Sequence, residues 1–157
     1  MRYTLHDGLV EGKRGRRWPL VLLAAALFAG GGYMLYNTFS PTLSNFGVDP
    51  QVTAKKLTTS TPTPTDNRLY MPQINVDVAI VEVAPGQTEE KALDKGAIHR
   101  SPSSGNPKDG GNYVLAAHRF TMGLTPSETR AKSPFYHINN MKVGVQIYFD
   151  YKGVRDG

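Results

Sequence analysis

The chain has 157 residues, 18 Lys or Arg against 13 Asp or Glu, and no cysteine. That length holds one ordinary domain plus appendages, and the lack of cysteine excludes disulfides and thiolate metal sites within these residues. The net charge of +5 is no nucleic-acid signal: the first 17 residues hold five basic and two acidic side chains, leaving 13 and 11 for the remaining 140, an ordinary solvated surface without a basic stripe.

No charged side chain occurs from Trp18 to Val48. Within that stretch, residues 18–36 form an apolar run. A helix needs about 20 such residues, with a range near 17–25, to cross the hydrocarbon core. Trp18 at one end and Tyr33 and Tyr36 at the other suit the two interfaces. Lys13, Arg14, Arg16 and Arg17 precede the run, which places residues 1–17 in the cytoplasm as a basic tail and sends the rest outward. The expected localisation is the cell membrane, single-pass, with the following domain extracellular. A cleaved signal peptide is the competing reading, favoured by the small residues around Ala29 and by Gly30-Gly31-Gly32. Residues 37–67 read as a Thr/Pro-rich linker, with the tract Thr58 to Thr65 acting as an extended spacer.

The texture changes at Arg68. Ile74, Val76, Val78 and Ile80 alternate with Asn75, Asp77 and Ala79, the period of a half-buried strand. Thr88 is a candidate N-cap for a helical turn through Leu93, closed by Lys95-Gly96. Residues 101–111 are turn-rich. Tyr113 to His118 is apolar almost throughout and reads as a strand buried on both faces. Phe120 to Ser133 carries no strong signal. Pro134 opens a short helical turn. Gln146 to Tyr151 is a further strand, and Lys152-Gly153 starts a hairpin turn. Short strands between Gly/Pro turns predict an all-β barrel or sandwich over residues 68–157.

Four histidines are candidates for chemistry. His6 lies in the basic tail. His99 suits a structural or substrate-rim role. His137 sits among aromatics and suits packing or the surface. His118 ends a hydrophobic strand, where a proton-transfer group is well placed, although a satisfied core histidine has the same sequence signature. No HExxH, CxxC, P-loop or GxSxG pattern occurs, and no cofactor or metal is expected.

Four segments change that balance. Met71 to Val81 resembles the opening strand of the sortase barrel. Leu93, Gly96-Ala97-Ile98-His99 and Pro102 resemble a second family segment. Gly110-Gly111-Asn112-Tyr113-Val114-Leu115-Ala116-Ala117-His118-Arg119 resembles the family's histidine strand, with Ala117 where Gly is usual. Pro134-Phe135 through Met141-Lys142-Val143-Gly144 resembles a fourth, with Val145 where Asp is common. The segments stand in family order behind an anchor and a stalk. The resemblance implies a sortase-like β-barrel and an extracellular cysteine transpeptidase. Such an enzyme would cut an LPxTG-type sorting-signal peptide and pass the acyl group to an amine from a cell-wall precursor or a pilin. His118 maps onto the general acid. Arg119 does not map onto the catalytic arginine, which follows the nucleophilic cysteine in the family. A TLxTC-type segment and that later arginine are absent from these residues. The expectation is therefore a truncated, open barrel and an inactive fragment as the chain stands. The alternative is a non-catalytic, membrane-anchored extracellular module that binds peptides.

Overall fold

The computed structural model describes residues 17–157; the basic tail before Arg17, with His6, lies outside them. The chain divides into two units, residues 1–34 and 35–157. Helix α1 (Trp18–Leu43) has 26 residues and a mean hydropathy of 1.7 in its most apolar window, long and apolar enough to cross a membrane. It runs past the expected end at residue 36.

Residues 37–67 are more ordered than the extended spacer the sequence suggested. They contain the last turns of α1 and a second helix, α2 (Pro50–Thr59). Helix α2 begins where it does because the Asp49 side chain accepts from the Gln51 N–H and Pro50 sits in the first turn, where no N–H is needed. Ser44 to Asp49 turns between the two helices, and the Pro/Thr tract from Thr61 lacks a helix or strand up to Arg68.

The second unit is built on a six-stranded sheet of order β6-β3-β2-β1-β7-β8. The strands are β1 (Arg68–Met71), β2 (Val76–Val81), β3 (Ala97–His99), β6 (Leu115–Ala116), β7 (Tyr148–Tyr151) and β8 (Val154–Asp156). A separate small hairpin joins β4 (Gly105–Asn106) to β5 (Gly110–Gly111). Two short helices, α3 (Glu89–Leu93) and α4 (Pro126–Ala131), lie in the connections. The architecture thus corrects the all-β expectation. Helices take a large share of the described residues, and the sheet does not close, because β6 and β8 each pair with one neighbour only.

The first expected strand is in fact two. Pro72 cannot donate to a ladder, and Asn75 adopts a left-handed backbone at φ 53°. A 3₁₀ turn over Pro72–Ile74 therefore links β1 to β2 as an antiparallel pair, with Leu69 opposite Val78 and Met71 opposite Val76. The alternation read from the sequence holds in β2: Val76, Val78 and Ile80 are buried, Asp77 is exposed. After α3 the chain returns as β3, parallel to β2, with Ile80 opposite Ala97. Gly96 is required there, since a Cβ would collide with the Ala79 carbonyl.

Leu69, Met71, Ile74, Val76, Val78, Ile80 and Ala97 form the apolar core. The other face of β1 is covered differently. Tyr70 donates to Asp150 Oδ2 at 3.0 Å, and Asp150 takes two bonds of 2.6 Å from Arg155 across the β7–β8 hairpin. Arg155 stacks on the Tyr70 ring at 5.1 Å. It also donates to the Leu57 and Ser60 carbonyls, which fastens the end of α2 to the sheet. The hairpin turn Lys152-Gly153 has φ of 49° and 82°, both positive, as a tight two-residue connection demands.

Asp150 is 3% exposed and Arg155 13%, so removing one partner strands a buried charge. Arg155→Ala should lower stability by about 3 kcal/mol, whereas Lys152→Ala should change it by no more than about 0.5 kcal/mol. Urea unfolding of the two variants checks this.

Candidate functional site

The run that ends in His118 is shorter as a strand than its sequence suggests. Only Leu115 and Ala116 pair with β3, Leu115 opposite His99 and Ala116 opposite Ile98, and a further bond runs from Arg100 N to Val114 O at 2.9 Å. Nor is the run buried on both faces: Val114 is 40% exposed and Tyr113, Leu115 and Ala117 are half-buried. The cause is topological. Strand β6 is the sheet's outer strand, so one of its edges has no neighbour.

His118 follows directly. It is half-buried, and its carbonyl accepts from Phe135 N at 3.1 Å. No described side chain hydrogen-bonds to its ring. Arg119 is exposed. The segment after it is tied back on itself: Thr121 N donates to Ser133 Oγ at 2.9 Å, and Gly123 N to Thr129 Oγ1 at 2.9 Å.

Beside β6 lies a groove of about 580 Å³. Leu69 and Met71 contribute from β1, Tyr113 and Leu115 from the histidine run, and Ile147 and Phe149 from the β7 side. Phe135 and Ile138 contribute from the later turns. Phe135 thus belongs to the groove and holds the His118 backbone through its N–H. The arrangement places His118 two residues beyond an outer strand that borders a mainly apolar groove.

The two other described histidines, His99 and His137, are held by hydrogen bonds within the fold. His99 is 4% exposed, with Nδ1 3.2 Å from Glu82 Oε1 and Nε2 3.1 Å from the Gly105 carbonyl. A neutral ring donates to only one of these oxygens. His99 also packs edge-on against Tyr113 at 4.6 Å. His137 Nε2 donates to the Pro41 carbonyl at 3.0 Å, and its ring meets Tyr136 edge-on. No cluster of three or more His, Cys, Asp or Glu among the described residues is arranged to hold a metal.

Two elements of the site escaped the sequence reading. Helix α4 lies inside the segment that carried no strong signal. Thr125 caps it by accepting from Glu128 N, and Glu128 reaches back to Leu124 N at 3.0 Å. The spacing Thr125-Pro126-Ser127-Glu128 is the signature that would have found it. The Asp150–Arg155 pair was the second. Opposite charges placed symmetrically about a two-residue turn face each other across the hairpin.

The second unit is thus an open, sheet-rich domain with an apolar groove beside one outer strand. The sequence matches the sortase domain family over residues 69–155, and the chain belongs to the sortase family. No curated protein matches it.

Tyr113 offers a pH test of this region. Its hydroxyl is buried without a hydrogen-bond partner among the described residues. Burial, then the negative charge of Glu82 and the Tyr151 phenol, pushes its pKa from 10.0 up to about 12. The folded state therefore holds the proton more tightly than the unfolded chain. That contribution to stability is complete below pH 10.0 and is lost as pH rises through about 12. Tyr113→Phe should flatten the loss of stability over that interval while costing nothing at neutral pH, since it removes an unpaired donor. Thermal melts of both proteins across the alkaline range check it.

Proposed function

We propose that this chain carries the histidine half of a sortase-type cysteine transpeptidase acting on LPxTG-type sorting-signal peptides. The observation that carries the reading is that His118 lies two residues beyond the outer strand β6, whose Leu115 lines the groove. It stands within the segment matched to the family. In this reading an extended peptide lies along the groove. A thiolate attacks the scissile carbonyl; the S–C bond forms and the C–N bond breaks. His118, protonated, gives its proton to the departing amine. An amine from a cell-wall precursor or a pilin then attacks: the new C–N bond forms, the S–C bond breaks to release the thiolate, and the amine's proton returns to neutral His118.

These 157 residues hold no cysteine, so the thiolate is not among them, and the family's arginine follows that cysteine. By themselves they form no acyl-enzyme. Helix α1 serves as a single-pass anchor, with Lys13, Arg14, Arg16 and Arg17 in the cytoplasm and residues from 37 onward outside.

Sequencing the gene through and past codon 157 is the direct test. The reading expects a segment ending in Thr-Cys and a later arginine. In the protein so encoded, His118→Ala should lower kcat for peptide cleavage by about 10²–10⁴-fold with little change in KM. An unchanged kcat contradicts the role given to His118. A reproducible stop with no such coding sequence replaces the transpeptidase by a non-catalytic module that binds peptides.

A further inference from the structure

The last turns of α1 carry polar side chains that the anchor role does not use. Asn37 and Ser40 are buried, at 2% and 0% exposure. Asn37 Nδ2 donates to the Gly123 carbonyl at 2.8 Å, and Asn37 Oδ1 accepts from Thr129 Oγ1 at 2.6 Å. Thr129 Oγ1 in turn accepts from Gly123 N, so Asn37, Thr129 and Gly123 close a ring of hydrogen bonds around a fully buried threonine. Ser40 Oγ lies 2.8 Å from the Asn37 carbonyl and 3.0 Å from the Pro126 carbonyl and shares its proton between them. The first of these carbonyls is the one that Pro41, lacking an N–H, leaves without its helical donor. The Pro41 carbonyl accepts from His137, and Thr42 Oγ1 donates to the Tyr136 hydroxyl at 3.2 Å.

Every one of these long-range bonds ends between Gly123 and His137, in the segment that begins just after His118. The same segment returns at Phe135 to hold the His118 carbonyl. Neither a lipid-facing helix nor a passive spacer needs buried asparagine and serine at these positions.

We propose that residues 37–42 are a clamp that orders the segment 120–137, and that Asn37 is a positioning residue for His118. It acts through Thr129, Gly123 and the turn containing Phe135. The catalytic consequence rests on the role proposed for His118; the clamp itself does not.

The test uses the full chain in detergent micelles. Asn37→Ala keeps a good helix former and leaves the Thr129 O–H without an acceptor and the Gly123 carbonyl without a donor. Amide exchange across residues 121–133 should accelerate about tenfold or more, the scale of one lost buried hydrogen bond. Amides of β1 and β2 should keep their rates. Carbethoxylation of His118 should speed up relative to that of His99 in the same sample. Unchanged exchange over 121–133 overturns the clamp, and so does an equal acceleration throughout the sheet. An unaltered His118 to His99 ratio, with the segment loosened, overturns the positioning role alone. If Asn37→Ala does not fold, Ser40→Ala removes, of the bonds from α1 to the segment, only that to the Pro126 carbonyl and buries no charge. It should give the same pattern at smaller amplitude, and no change there also overturns the clamp.

Discussion

Strand β1 is four residues long and lies between β2 and β7, so it has to be covered on both faces at once. Leu69 and Met71 meet that constraint on one side by entering the apolar core. On the other, Tyr70 is covered by the Asp150–Arg155 ion pair. Two charges are taken out of water there, at a cost that is offset only because each is bonded several times. The pair raises the proton affinity of Arg155, chiefly through the bond to Asp150. Its reach to Leu57 and Ser60 draws α2 onto the sheet. A region whose composition suggests a loose tether thus becomes part of the domain.

With β1 fixed, the sheet grows outward to β6 on one side and β8 on the other and stops at two unpaired edges. An outer strand offers unpaired backbone groups as well as side chains. Here that strand borders a groove with an apolar lining, and the chain reaches His118 two residues after it. These features support the proposed binding of an extended peptide, with main-chain pairing for affinity, apolar pockets for side chains and the proposed proton donor His118 beyond the strand.

Much of this was legible in the residues. The alternation from Ile74 to Ile80 marked strand β2, which gives Val76, Val78 and Ile80 to the core, and the apolar run before His118 marked the segment that joins the sheet as β6. The run's depth was not legible. Hydrophobicity alone does not say how many neighbours a strand has, and Val114 and Leu115 are more exposed than a central strand would be. Pro72 and Asn75 broke one apparent strand into two for local steric reasons that the alternating pattern concealed. Helix α4 and the Asp150–Arg155 pair left signals in spacing and in charge symmetry, both easily passed over in a polar stretch. The buried roles of Asn37 and Ser40 left none, because their partners lie more than 80 positions away in sequence.

The central claim is that the open side of the sheet, with His118 at its end, is where a sorting-signal peptide binds. Titrating an LPxTG-type peptide into the full chain in micelles, followed by NMR, tests it most directly. The account predicts saturable shifts at Leu115, His118, Ile138 and Ile147, with Val76 and Val154 unmoved. The absence of saturable shifts, or shifts confined to residues away from the groove, would contradict it.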